Sequence, residues 1–118
     1  MSKYMFHVMD VQPNLRSGKR ASRPVITRAS AGVTGFAMGL NVTQPGGGSQ
    51  GPHVHQGQSE TMYMIEGKVK FTVGSEEYVC GPHDVVHAPA GVPHGFENIG
   101  GTESKFVWVF CPPLPEYL

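Results

Sequence analysis

Glycine and proline recur throughout the chain and limit its possible folds. The 118 residues include 16 glycines and 10 prolines, scattered through apolar stretches rather than collected in one linker. Helix interiors tolerate neither residue, and the eleven Phe, Trp and Tyr side chains argue against disorder. The sequence therefore predicts a single, turn-rich, all-β domain.

Charge and hydropathy exclude several classes of function. Nine basic residues balance nine acidic ones, so the chain has no overall electrostatic footprint for nucleic acid. No apolar run approaches the roughly 18 residues that a membrane span needs, and no hydrophobic signal core opens the chain. We expect a cytoplasmic protein without nucleic-acid or membrane partners. The isolated Cys80 and Cys111 are predicted to be reduced and buried.

Residues 1–32 are predicted to form an N-terminal arm with an excess of positive charge. Within residues 1–30, Asp10 is the only acidic side chain against six basic ones: Lys3, Arg16, Lys19, Arg20, Arg23 and Arg28. The arm could steer an anionic substrate or pack on a partner subunit. A solvated terminus is the alternative.

Residues 33–112 show the alternation expected of a barrel or sandwich. From Thr34 to Thr43 bulky residues alternate with small or polar ones, which predicts a half-buried strand with Phe36, Met38 and Leu40 facing inward. Further short strands are expected over 60–66, 69–73, 77–80, 84–88 and 105–111, separated by Gly and Pro turns. Residues 113–118 form a proline-containing tail.

Four of the chemistry-bearing side chains have spacings that suit one metal ion. In an extended strand His53 and His55 point to the same face, about 7 Å apart along the backbone. A short turn can bring the Glu60 carboxylate beside them, and His94 follows a turn at the start of another strand. Three imidazoles and one carboxylate suit Fe, Mn, Ni, Co, Cu or Zn.

The same residues resemble the two motifs of the cupin superfamily. The first motif is matched, with every spacing, by Gly47, His53, His55, Glu60 and Gly67. The second is matched by Pro89, Gly91, His94 and Asn98. One position departs, since His83 stands where the second motif begins with glycine.

The resemblance implies a small single-domain cupin with a conical jelly-roll β-barrel. It implies that His53, His55, Glu60 and His94 converge on one divalent transition metal inside the barrel. It also implies a metalloenzyme acting on a small substrate chelated to the metal, by dioxygenase-like or related lyase or decarboxylase chemistry. A non-catalytic cupin that binds a metal or metabolite, or acts as a sensor, is the alternative. Small cupins commonly form homodimers that exchange N-terminal strands, which would occupy the arm.

Further residues are expected around the metal. Strand parity places Met62 and Met64 on the face of Glu60. With them, the predicted substrate pocket contains Phe36, Met38, Phe96 and Trp108, a dry lining suited to a partly hydrophobic ligand. His87, His83 and Tyr63 are candidate acids or bases. Plain core packing and surface positions are the alternatives for these residues.

Overall fold

A computed structural model gives the structure of the protein and describes residues 4–49 and 51–118. Across this part of the chain the strands are β1 (Asn14–Arg16), β2 (Arg20–Ile26), β3 (Ala37–Thr43), β4 (Ser59–Glu66), β5 (Val69–Val73), β6 (Glu76–Cys80), β7 (Val85–Ala88), β8 (His94–Asn98) and β9 (Ser104–Cys111). One short helix, α1 (Arg28–Ala31), and two 3-10 turns, Val8–Asp10 and Pro115–Tyr117, complete the described residues. None of these helices has the length and apolarity to span a membrane.

The strands form two antiparallel sheets that enclose one core. The larger sheet has the order β1-β2-β3-β9-β4-β7 and the smaller one β6-β5-β8. Met64, Phe71 and Phe106 are almost fully buried between them. The all-β jelly-roll barrel predicted from the sequence is thereby confirmed, because its interior is lined by alternate residues of both sheets.

The predicted arm contains a hairpin that belongs to the larger sheet. Strand β2 pairs with β3 of the same chain, with Arg20 opposite Thr43. The turn from β1 to β2 contains Gly18 and Lys19, both with positive φ, at 78° and 59°. Lys3, part of the basic cluster in the sequence, lies outside the described residues. Because β2 is a wall strand, some of its side chains reach the interior of the barrel, among them Arg20 and Ser22.

The alternation in β3 is present, but its faces are the reverse of the prediction. Phe36 and Met38, expected in the pocket, are 37% and 36% exposed on the outer side. The inner face consists of smaller residues, among them Ala37 and Gly39. Gly39 lies directly opposite Trp108 of β9, whose indole fills the space that a large β3 side chain would need.

Two smaller expectations are also corrected. His53 and His55 do not lie in a regular strand, and His53 makes an isolated bridge with His94. Both cysteines are free, but only Cys80 is buried; Cys111 is exposed. Strand parity explains Cys111, because it follows the inward-facing Phe110 and points outward.

Candidate metal centre and its cavity

The structure brings the four predicted ligands together. Nitrogen or oxygen donors of His53, His55, Glu60 and His94 all lie within 4.8 Å of one another. The imidazole centroids are 4.4 Å apart for His53 and His94, and 4.9 Å apart for His53 and His55. Glu60 and His94 are buried, whereas His53 and His55 are partly exposed. The cluster therefore has a buried side and a side open to a ligand.

Backbone pairing explains how distant parts of the chain meet here. The amide of His53 donates to the carbonyl of His94 at 2.8 Å, and the amide of His94 donates to the carbonyl of His53 at 2.9 Å. The His55 carbonyl accepts a hydrogen bond from Gly91 in the turn before β8, at 2.8 Å. Glu60 lies on β4, opposite Phe110 of β9. The ligand positions are thus held by main-chain hydrogen bonds and sheet register.

His94 has its orientation fixed from both ring nitrogens. Its Nδ1 lies 3.1 Å from the Val92 carbonyl, an acceptor, so Nδ1 carries the proton. Its Nε2 lies 3.0 Å from Oε1 of Glu60. Burial alone lowers the pKa of His94, but the hydrogen bonds to Glu60 and Val92 and the charge of Glu60 outweigh it and raise the pKa. The carboxylate of Glu60 therefore favours a positive charge on the His94 ring.

The other two imidazoles are suited to be neutral ligands. Burial, and then the neighbouring His94, His55 and Arg20, lower the pKa of His53 to about 4. Burial also lowers the pKa of His55, although the charge of Glu60 opposes this. No hydrogen bond joins a ring nitrogen of either residue to another described residue. Unprotonated nitrogens without partners, beside a carboxylate, fit a divalent transition metal.

A cavity of about 440 Å³ extends from the cluster into the barrel. Its apolar wall is mostly aromatic and consists of Pro52, Met62, Phe71, Val73, Phe96, Phe106, Trp108, Phe110, Leu114 and Tyr117. The Phe110 ring meets the His55 ring edge to face, with centroids 5.2 Å apart. Flat apolar walls next to a polar cluster suit a planar organic ligand with a few oxygen atoms at one end.

Segments from near both ends of the chain complete this cavity. Arg16 and Arg20 contribute from the β1–β2 hairpin, and Glu116 and Tyr117 from the 3-10 turn near residue 118. Tyr117 stacks on Trp108 with ring centroids 5.4 Å apart, and Arg16 pairs with Glu116 at 3.3 Å. Sequence reasoning did not place these residues in the site. The turn sequence Ser17-Gly18-Lys19 could have indicated the hairpin that contains the two arginines.

The pocket residues predicted from sequence separate into three groups. Met62, Phe96 and Trp108 line the cavity. Met64 is fully buried on the face of Glu60, as strand parity predicts, but is outside the cavity lining. Phe36 and Met38 lie on the outer side of the sheet, as described above.

The candidate acid–base residues lie on the other side of the wall. Tyr63 is 42% exposed, and its hydroxyl lies 2.7 Å from Nδ1 of His83. His87 is exposed, with Nδ1 2.9 Å from the Thr61 hydroxyl. In strands β4 and β7 these residues alternate with inward-facing Glu60, Met62 and Ala88, so parity directs them away from the cavity. The structure therefore does not bring His87 and Tyr63 to the candidate metal centre.

Comparison with known proteins agrees with this architecture. Residues 40–110 match the family model described as "Cupin domain". The chain is 27% identical over 109 residues to the protein named Polyketide synthase CurC of Streptomyces cyaneus, spanning 92% of this chain and 70% of that one. It is 30% identical over 108 residues to Tetracenomycin polyketide synthase protein TcmJ of Streptomyces glaucescens, spanning 90% and 71% of the two chains.

A solved structure gives the same result for the fold. The polyketide cyclase RemF of Streptomyces resistomycificus superposes with a TM-score of 0.81 at 24% identity, covering 94% of this chain and 80% of that one. The family match spans more than half of the described chain and includes both histidine motifs. The protein is a member of the cupin family.

Proposed function

We propose that the protein is a divalent-metal enzyme acting on a small, planar, polyketide-type substrate that presents two oxygen atoms to the metal. The observation that carries the proposal is the cluster of four donors within 4.8 Å at one end of an aromatic cavity. The relatives named for polyketide synthases and a polyketide cyclase support this substrate class. Aromatic rings and enolisable 1,3-diketones are the matching chemical groups.

His53, His55, Glu60 and His94 would hold the ion. A metal bound there acts as a Lewis acid, which polarises carbonyl oxygens and favours loss of a proton from an enol or phenol. His53 and His55, the partly exposed members of the cluster, would leave one side of the ion accessible to substrate oxygens. The Val92 carbonyl keeps the His94 proton on Nδ1, so that Nε2 would be the ring nitrogen available to the ion.

The rest of the cavity binds and orients the substrate. Phe96, Phe106 and Trp108 provide flat apolar contacts that exclude water from the reacting end. Apart from the candidate ligands, the ionisable side chains on the described lining are Arg16, Arg20, Glu116 and Tyr117. Proton transfer by His87 or Tyr63 is not part of the proposal, because both lie outside the cavity.

A binding module without turnover is the second candidate. The observation that favours it is the position of His87 and Tyr63, since the predicted acid–base side chains are not in the cavity. A binding module would hold the metal and the ligand and return the ligand unchanged. An enzyme would convert it.

Metal analysis of the purified protein and two variants tests the metal centre. We expect mass spectrometry to find about one transition-metal ion per chain in the wild type. His55→Ala should lose most of this metal, because one of the four candidate ligands is removed. His87→Ala is the matched control and should retain the metal. Equal metal content in His55→Ala and the wild type would remove the basis of the proposal.

Turnover separates the two candidates. Metal-loaded protein is incubated with acetylacetone and with catechol, with oxygen uptake measured by electrode and substrate consumption by chromatography. Oxygen uptake with substrate loss indicates dioxygenase-like chemistry, and substrate loss without oxygen uptake indicates lyase chemistry. Binding without any substrate loss supports the binding module and contradicts the enzyme.

The oligomeric state and location stay predictions. We propose a homodimer in which residues from the predicted arm, 1–32, pack on or exchange with the partner, and light scattering of the purified protein tests it. A monomer would contradict the homodimer. The cytoplasmic location is likewise carried by the sequence alone.

A further inference from the structure

Arg20 is a cation on the cavity wall for which the described part of the chain provides no carboxylate partner. Arg16 is paired with Glu116, and Glu60 is engaged with His94. No ion pair within the described residues includes Arg20. Among the cationic side chains on the described lining, Arg20 is therefore the one without an ion-pair partner.

The guanidinium is held in place but retains free donors. Its Nε donates to the Ser17 carbonyl at 2.8 Å, and its Cζ lies 6.0 Å from the centroid of the Phe96 ring. Both contacts fix the side chain beside a cavity-lining aromatic. A guanidinium has five N–H donors, and Nε accounts for one of them. No described residue accepts a hydrogen bond from the two terminal nitrogens, so their four N–H donors remain for a ligand.

Electrostatics favour an anion at this point. Burial, and then the charge of Arg16, lower the pKa of Arg20, while Glu60 acts in the opposite direction. A guanidinium stays protonated in proteins even so, which leaves a partly desolvated positive charge. Such a charge is costly until a ligand supplies a negative group with matching geometry.

We propose that Arg20 is a specificity-determining residue that binds an anionic oxygen group, such as a carboxylate, on the substrate whose other oxygens face the histidine cluster. The inference rests on the proposed function, since it names the substrate class for the same cavity. It also assigns a role to one member of the basic cluster in residues 1–30. A planar aromatic acid combines this anionic group with the flat body that the aromatic walls accept.

Two nearly isosteric probes test the proposal. Salicylate and salicylamide share a phenol next to a carbonyl group and differ in the negative charge at neutral pH. Isothermal titration calorimetry gives their affinities for the metal-free protein and for the Zn²⁺-loaded protein. We expect the wild type to prefer salicylate, and Arg20→Gln to weaken salicylate by about 10- to 100-fold while leaving salicylamide unchanged.

Arg23→Gln is the matched control, because Arg23 lies on the same strand and also donates from Nε to a carbonyl, that of Val11, but is outside the cavity lining. It should bind both probes like the wild type. Arg20→Lys keeps the charge without the planar fork and should fall between wild type and Arg20→Gln. Circular dichroism checks that each variant is folded. If Arg20→Gln does not fold, Arg20→Lys takes its place in the comparison.

The outcomes distinguish this inference from the metal proposal. A wild type without preference for salicylate, or equal effects of Arg20→Gln on both probes, would overturn the role of Arg20. A wild type that takes up no metal but still prefers salicylate through Arg20 would contradict the metal centre alone. If Arg20→Gln retains Zn²⁺ but loses the preference for salicylate, the result supports both the role of Arg20 and the metal centre.

Discussion

The hydroxyl groups of Thr61 and Tyr63 each contact a histidine on the outer surface of the larger sheet. Thr61 lies 2.9 Å from His87, and Tyr63 lies 2.7 Å from His83. These pairs have the composition of an acid–base site, but the sheet separates them from the cavity. A side chain on the outer surface cannot contact a ligand held against Phe96 and Trp108 inside.

Tyr63→Phe and His87→Asn should therefore leave ligand binding unchanged. We expect metal content and salicylate affinity within about twofold of the wild type, and stability within about 0.5 kcal/mol, because both side chains are exposed. Mass spectrometry, calorimetry and urea unfolding give the three values. A large loss of affinity in either variant would show that the outer surface does contribute to the site.

At the level of single residues, local spacing predicts the candidate ligands but not their surroundings. The motif spacings of His53, His55, Glu60 and His94 identify them as candidate ligands, and the structure brings these side chains together although His53 and His55 lie outside a regular strand. His83, at the motif's glycine position, adopts φ 75°, the left-handed region that favours glycine. The place of Arg20 on the cavity wall could not be predicted from local spacing, because it depends on the pairing of β2 with β3 across the sheet.

Among the strands, β3 shows what an alternating pattern can and cannot establish. A period of two determines which residues share a face, but the identity of the inner face depends on what the neighbouring strand presents. Trp108 and Phe110 of β9 already fill the interior next to β3. Small residues such as Gly39 are therefore inward, and Met38 points outward.

Gly39→Ala tests this account of β3. A Cβ at Gly39 would collide with the Trp108 indole and with the Arg23 carbonyl oxygen. We expect a loss of about 1–3 kcal/mol in the free energy of unfolding, the usual cost of overpacking a core. Gly35→Ala is the matched control, since an added Cβ there has no neighbour within 4 Å, and it should change stability by no more than about 0.5 kcal/mol.

Urea unfolding followed by circular dichroism measures both glycine variants without depending on the Trp108 signal. If Gly39→Ala were as stable as Gly35→Ala, the close packing of β3 against Trp108 would be contradicted.

For the molecule as a whole, the candidate metal centre joins elements that are far apart in sequence. Its donors come from the segment before β4, from β4 in the larger sheet and from β8 in the smaller sheet. An ion that binds the folded chain better than the unfolded one must stabilise the whole barrel. Metal binding and global stability are therefore linked.

We expect Zn²⁺ at a free concentration 100 times its dissociation constant to raise the free energy of unfolding by about 2.7 kcal/mol. Removal of the metal with EDTA should reverse the gain, and urea unfolding measures it. His55→Ala should gain far less under the same conditions. The same gain in that variant would place the stabilising ion elsewhere.

The meeting of two chain segments at the cavity has a consequence for engineering. The candidate metal ligands lie between residues 53 and 94, whereas Arg16, Arg20, Glu116 and Tyr117 come from outside that interval. Chimeras that exchange residues 14–22 and 114–117 with those of another cupin would alter the part of the cavity lining that these segments contribute. Every candidate metal ligand would stay in place. Recombination at these segments is thus a route to new ligand preferences on an unchanged metal scaffold.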